Sequence, residues 1–457
     1  MTQNGLQASL DKMRAEGLAD EAIETFRHYY EQLVAGETGM IPERDIEPVE
    51  QLPEYDDLPA SDGADVLDQA VVIKLNGGLG TSMGMTGPKS LLEVKDGHTF
   101  LDVIAEQVLE LRRRSGARLP LVLMNSFATR EASLEKLREH DGIEADVPLD
   151  FVQNKEPKVR EDDLTPVEWP DDPALEWCPP GHGDLYTALQ ASGMLEALLD
   201  KGYRYAFVSN VDNLGAVLEP RILSWFAGEG APFLSEAIDR TEADKKGGHL
   251  ALRPDGSLVL REVAQTPDED LDAFQDTSRH RFFNANNLWI DLQALQTVLR
   301  ERGSVLGLPL IVNKKTVDPG DKSSPAVIQL ETAMGAAIGV FDGAVALRVP
   351  RRRFLPVKTT NDLLILRSDA YEVSPEFHVD LAPAREGKAP LVDLDDEHFK
   401  LVRDFDAHFP EGAPSLVEAE RLTVRGDVTF GRDVVVRGTV EVEGPRRLED
   451  GEVLDGA

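Results

Sequence analysis

Residues 71–90, VVIKLNGGLGTSMGMTGPKS, place Gly77, Gly78, Gly80 and Gly84 directly behind a short apolar run and ahead of Lys89. Glycines free the backbone to take positive φ and to bring bare N–H groups against an anion. A lysine at the end of such a loop adds an ammonium, so the chemistry is that of a phosphate or nucleotide cradle. Neither common cradle is present. Position 83 is Met where G-x-G-x-x-G needs glycine, and Pro88 separates Gly87 from Lys89 where a P-loop needs them adjacent. On this segment alone, a Gly-rich turn without a ligand stays open.

Four further segments carry candidate chemistry. In FVQNKEPKV (151–159), Gln153 stands at a strand edge, where its amide can pair with a base, although a surface Gln is the simpler alternative. In EWCPPGHGDLY (176–186), Pro179 and Pro180 stiffen a loop that Gly181 and Gly183 open around His182, with a helix start at Asp184; a structural His is the alternative. FVSNVDNLG (207–215) ends an apolar strand in Asn210, Asp212 and Asn213. Those oxygens suit Mg²⁺, which takes one or two carboxylates and completes its shell with phosphate and water. An Asn/Asp-rich turn is the bland reading there. Asn284, Asn286 and Asn287 at a strand–loop junction offer donors and acceptors for sugar hydroxyls, and Lys358 follows Pro356 in an otherwise apolar strand.

Positioning these residues requires an α/β scaffold. Between residues 66 and 370, apolar runs at 119–126, 203–215, 282–292 and 344–357 read as strands. Residues 100–116 and 184–200 read as amphipathic helices between them. The alternation predicts a Rossmann-like sheet with helices on both faces, its ligands beyond the carboxyl ends of the strands. Upstream, Ile23, Phe26, Tyr30 and Leu33 repeat at three and four behind Asp20 as N-cap. That predicts a helix packed on the main domain, with an extended Pro-rich, acidic tether after it. In the tail, Leu422, Val428, Val434 and Val440 recur every six residues, as do Val424, Phe430, Val436 and Val442, with Gly426, Gly438 and Gly444 between them. The six-residue period predicts a short parallel β-helix leaning on the catalytic domain or on another subunit, with a β-meander as the alternative. Residues 375–415 read as the connection.

Composition bounds the function. The 457 residues hold 48 Lys and Arg against 83 Asp and Glu, a net charge of −35. Such a surface repels nucleic acid and anionic membranes. Polyphosphate binding therefore demands lysines or a divalent cation to reverse the local field. Cys178 stands alone, so the chain forms no internal disulfide, and a thiolate zinc site is not expected. The polar N-terminus lacks a signal-peptide core, and no apolar run approaches the roughly 18 residues of a membrane helix. A cytoplasmic protein is the expectation.

KLNGGLGTSMG…GPKS, MNSFAT, WCPPGHGDLY, FVSNVDNLG, KGGHL, FNANNLW and VIQLETAMGAAI…FLPVKTTNDL together resemble the eukaryotic-type UTP–glucose-1-phosphate uridylyltransferase family, in the same order from about 70 to 370. The resemblance implies a helical segment and linker at 1–65, a nucleotidyltransferase domain at 66–375, and a linker with a left-handed β-helix at 376–457. It implies that UTP and glucose 1-phosphate become UDP-glucose and pyrophosphate, with Mg²⁺ on Asp212. Leu75, Asn76, Gly77 and Gly78 would border uracil and ribose, Lys89 would reach the triphosphate, and Gln153 and Gly181 would read uracil. His182 would contact the sugar phosphate, Asn210 the ribose, Gly248 and Asn286 the glucose hydroxyls, and Lys358 phosphate. Lys89, Lys358 and Asp212 would be catalytic. Cys178 and His249 depart from residues the family often has. A broad-specificity UDP-sugar pyrophosphorylase, an inactive nucleotide-sugar-binding protein, and a homo-oligomer joined through the tail are the open alternatives.

Overall fold

The computed structural model describes residues 2–241 and 244–456. Its centre is a ten-stranded mixed sheet. Along its main path the order is Glu47–Pro48, His249–Leu252, Phe282–Asp291, Tyr205–Asn210, Ala70–Asn76, Leu121–Asn125 and Asp150–Val152. Tyr205–Asn210, Ala70–Asn76, Leu121–Asn125 and Asp150–Val152 run parallel, whereas Phe282–Asp291 pairs antiparallel. From Ala70–Asn76 the chain builds outward on one side and then returns to the other. The carboxyl ends of Ala70–Asn76 and Tyr205–Asn210 therefore flank the switch point where α/β sheets bind ligands.

Alternation along the strands separates two cores. Val72, Leu121, Leu123 and Phe207 face one apolar cluster, which takes in helix Phe100–Ser115; Val71, Ile73, Val122 and Val208 face the other, with helices Leu185–Ala191, Met194–Asp200 and Leu292–Glu301. The expected helix over 184–200 is broken at Gly193, whose positive φ ends one helix before the next begins. The expected strand over 344–357 is shorter, Val345–Arg348, because Pro350 starts a 3-10 turn at Arg351–Arg353.

The N-terminal expectation needs two corrections. A first helix, Thr2–Ala15, precedes the predicted one, and Asp20 is its successor's first helical residue, Ala19 being the N-cap without a side-chain bond. Leu10, Met13, Ile23, Phe26 and Tyr30 bury against Val159, Ile328 and Leu330, so the helix pair covers a small three-stranded sheet. The acidic tether does not hang free: Glu47 and Pro48 pair with Leu252 and Ala251 at the edge of the central sheet.

The tail is a parallel ladder. Leu422 pairs with Val440, Val428 with Arg446 and Val435 with Val453, each eighteen residues apart, which is three of the six-residue periods, although the register slips at the start of the longest strand. All eight hexad residues are buried. The predicted connection at 375–415 is instead structured. Leu391–Leu394 forms the first rung against Arg421–Val424, and helices Asp396–Phe399 and Val402–His408 follow. Its acidic composition hides Leu394, Phe399, Phe405 and Phe409, which are buried. One apolar cluster runs unbroken from Leu363 and Leu366 into Leu422, Phe430 and Val436. None of the helices among the described residues is long and apolar enough to cross a membrane.

Phe430 is fully buried and stacks on Phe409 at 4.7 Å. Phe430→Ala is expected to destabilise by about 3–5 kcal/mol. Because the core is shared, urea denaturation should show one transition at lower urea, with tail and catalytic probes coincident.

Candidate functional site

The Gly-rich loop leaves Asn76 at the end of its strand and folds back so that the Lys89 N–H donates to the Gly78 carbonyl at 3.0 Å. The neighbouring strand ends at Asn210 and runs into Asp212, whose own carbonyl accepts from the Val357 N–H at 3.1 Å. Three distant segments thus meet at one carboxylate. Asp212 Oδ2 accepts from Lys89 Nζ and from Lys358 Nζ, both at 2.7 Å. Burial pushes the Asp212 carboxyl up, but the Lys358 and Lys89 ammoniums outweigh it and hold the group below its usual range. Asp212 Oδ1 is buried with no partner, an oxygen available to hold a divalent cation. Lys358 does not lie in a strand as expected. It precedes helix Thr360–Arg367, where the capping Asp362 carboxylate accepts from its backbone N–H.

On the far side of the loop, Gly77 lies so close to Gln153 that a Cβ there would fall 2.6 Å from the amide oxygen. Beyond it, the buried Asp184 carboxylate accepts from the Asn154 backbone and side-chain N–H groups at 2.6 and 2.8 Å, bracing the residue beside Gln153. Burial carries the Asp184 pKa up to about 7 against those bonds. Leu75 and Asn210 are half-buried at the strand ends, and Gly78 closes the loop through its carbonyl. The Asn76 side chain points into the sheet, donating to Asn125 Oδ1 at 2.8 Å and Ser133 Oγ at 2.7 Å. Only its backbone is offered to the loop.

The PPGHG loop is clamped by Thr332–Met334. Gly181 has φ +78°, and a Cβ on it would sit 2.6 Å from the Thr332 carbonyl oxygen, so both conformation and space require glycine. His182 Nδ1 accepts from the Met334 N–H at 3.0 Å, which places the ring proton on Nε2. His182 as a whole residue is exposed, while desolvation by the chain around its imidazole and the nearby Lys358 ammonium lower its pKa to about 4. It is a neutral donor.

The asparagines lie inside strand Phe282–Asp291, correcting the expected junction. Asn286 takes φ +54°, unusual for a non-glycine, and is held there by paired bonds with Asn284. Gly248 and Gly335 close on this corner: a Cβ on Gly248 would meet the Glu262 carboxylate at 2.6 Å, and one on Gly335 the Asn284 amide at 2.6 Å. Glu262 is half-buried there, its carboxyl raised by desolvation.

Sequence reasoning missed the support beneath. Glu236 and Arg353 form a buried ion pair at 2.6 Å, and Glu236 also accepts from Trp289 Nε1 and Asn287 Nδ2. The Arg353 carbonyl accepts from Asn213 and Asn287, and Asn213 Oδ1 accepts from the Leu355 N–H. This network fixes the segment leading to Lys358 against the one carrying Asp212. The only signal was Glu236 standing in an apolar strand.

Residues 23–437 match the family described as UTP–glucose-1-phosphate uridylyltransferase. The Saccharomyces cerevisiae UTP–glucose-1-phosphate uridylyltransferase is 44% identical over 375 residues, covering 82% of this chain and 74% of its own. A probable UTP–glucose-1-phosphate uridylyltransferase of Schizosaccharomyces pombe is also 44% identical, over 86% and 76% of the two chains. A Leishmania major UDP-glucose pyrophosphorylase variant in complex with UDP-glucose superposes with TM-score 0.93 at 46% identity, covering 99% of this chain and 98% of the other.

Removing one partner of the Glu236–Arg353 pair leaves a buried uncompensated charge. Arg353→Met is expected to cost about 3–5 kcal/mol, and Glu236→Gln added to it should restore part of that. A double-mutant cycle in chemical denaturation measures the coupling.

Proposed function

The chain belongs to the UTP–glucose-1-phosphate uridylyltransferase family, and from that membership we propose that it makes UDP-glucose and pyrophosphate, reversibly, from UTP and glucose 1-phosphate by in-line transfer. The observation that carries the reading is the convergence of Lys89 and Lys358 on Asp212 at the switch point of the sheet. A sugar phosphate is already a nucleophile at neutral pH, so the site needs positioning and charge neutralisation in place of a general base. A neutral His182, presenting Nε2–H, suits that demand as a hydrogen-bond donor to phosphate.

Without substrate, both ammoniums are satisfied by Asp212. Lys89, largely buried, would turn from the carboxylate to the leaving pyrophosphate oxygens; Lys358, whose side chain is 56% exposed, would draw the two anions together. The unpartnered Asp212 Oδ1 would hold Mg²⁺, and that ion, when bound, neutralises charge on the reacting phosphates. Gln153 against Gly77 offers an amide edge for uracil, and Gly248 with Asn286 offers backbone and amide groups for glucose. We read the C-terminal ladder as a short left-handed β-helix whose outer flank can meet a second subunit, supported by its eighteen-residue register. Light scattering tests that contact.

Pyrophosphate release with UTP and a panel of sugar 1-phosphates tests the reaction. Glucose 1-phosphate should dominate; equal rates with other hexoses would favour the broad-specificity enzyme, and no turnover a binding protein. Lys89→Ala is expected to lower kcat by about a hundredfold or more with a smaller change in KM. Asp212→Asn should weaken the Mg²⁺ dependence, and an unchanged metal titration would remove its assigned role. With the His182 pKa depressed to about 4, the imidazole is neutral above that pH. The kcat/KM profile of the free enzyme should therefore carry no His182 inflection between about pH 5.5 and 8.

A further inference from the structure

Away from the catalytic site, His398, His408 and Asp427 bring three ligand atoms within 4.8 Å of one another. They come from three places: helix Asp396–Phe399, the end of helix Val402–His408, and the turn that opens strand Val428–Thr429. The helix pair rests on an aromatic floor, with Phe399 4.6 Å from the His408 ring and Phe409 stacked on Phe430.

The hydrogen bonds around His408 define its electronic state. Its Nδ1 lies 2.6 Å from the Asp404 carbonyl oxygen, which can only accept, so Nδ1 carries the proton. The lone pair of Nε2 then faces the Asp427 carboxylate, 3.1 Å away. Two electron-rich atoms at that distance require a cation between them, either a proton or a metal ion. A backbone carbonyl on Nδ1 is the usual outer partner of a metal-bound imidazole. His398 favours the metal, because it brings a third possible ligand atom within 4.8 Å of the other two, which a simple His408–Asp427 ion pair does not need.

The backbone under the cluster is already fixed. Asp395 caps its helix through the Glu397 N–H and accepts from the Gly426 N–H at 2.8 Å, while the Phe430 N–H donates to the His408 carbonyl at 2.8 Å. Asp427 sits between those two ties, and its own carbonyl accepts from the Arg446 N–H of the next coil. Only the side chains need to move. Zinc with bonds near 2.0–2.1 Å places tetrahedral ligands roughly 3.3 Å apart, a contraction that the exposed Asp427 side chain and the terminal His398 can supply. Imidazole and carboxylate donors select a borderline divalent ion over magnesium.

We propose that His398, His408 Nε2 and the Asp427 carboxylate form a zinc-class site, completed by water, that staples the short helix pair to the first coil of the C-terminal ladder. None of its residues belongs to the catalytic constellation, so the role is structural.

The test uses the full chain stripped with chelator and titrated with zinc by calorimetry. One ion should bind at micromolar concentration, and cobalt should give the intense visible band of tetrahedral coordination. Asp427→Asn and His398→Gln, both off the apolar core, should each weaken binding at least about tenfold. Zinc at a hundredfold excess over Kd should shift the unfolding equilibrium of the unaltered chain by about a hundredfold, and that of Asp427→Asn far less. Turnover with magnesium should be the same in Asp427→Asn as in the unaltered chain. Absence of stoichiometric binding overturns the proposal and leaves a simple His408–Asp427 contact. Stoichiometric binding that survives both substitutions also overturns it, by placing the ion elsewhere.

Discussion

One oxygen of Asp212 is shared by two ammonium groups, and the rest of the catalytic architecture serves that meeting. In a chain of net charge −35, long-range electrostatics oppose any anionic ligand. A Lys–Asp–Lys group carries local positive charge, and its Asp212 and Lys89 members are buried enough that solvent screens them weakly. The arrangement also keeps both lysines ordered without a ligand, because each ammonium has a partner it can exchange for a phosphate oxygen. The −35 and the proposed binding of polyphosphate are reconciled within a few ångströms.

Holding that meeting point demands rigid support, since Lys358 arrives on a segment with no strand of its own. The buried Glu236–Arg353 pair supplies it, with Asn213, Asn287 and Trp289 completing the hydrogen bonds. A buried ion pair is poor evidence for net stability, but fully satisfied it specifies one arrangement. Around it, the candidate site is lined largely by backbone at close approach. Gly77 against Gln153, Gly181 against Thr332 and Gly335 against Asn284 leave no room for a side chain. Asn286 stays in the left-handed region by the same logic, local strain held by a packed environment.

Much of this was legible in the sequence because the signals were local. The β-branched run before the glycines, the PPGHG loop and the Asn–Asp strand end each state their own conformation. The hexads read equally well, since a ladder that buries two residues of every six writes its period into the chain. What escaped was non-local or averaged. The strand containing Asn284, Asn286 and Asn287 looks like a junction because three amides within four residues mimic a turn; their partners, Glu236, Arg353 and Gly335, lie 51 to 66 positions away. Residues 375–415 looked like a connector because acids outnumber the few phenylalanines that anchor it. Lys358 was assigned to a strand because prolines and apolar neighbours do not reveal that Asp362 is about to cap a helix.

The eighteen-residue offset of the C-terminal ladder constrains how this region can change over evolutionary time. Each inward residue is specified by its place in the parallel ladder, so gaining or losing a few residues within a strand would turn the following side chains outward unless a bulge takes up the change. Length here is constrained: where the register is regular the tail tolerates steps of eighteen residues, and smaller changes must be absorbed by bulges such as those before Arg421 or by loops at the corners. Since the first rung shares its core with the catalytic half, the coil nearest the enzyme is the one the chain cannot give up.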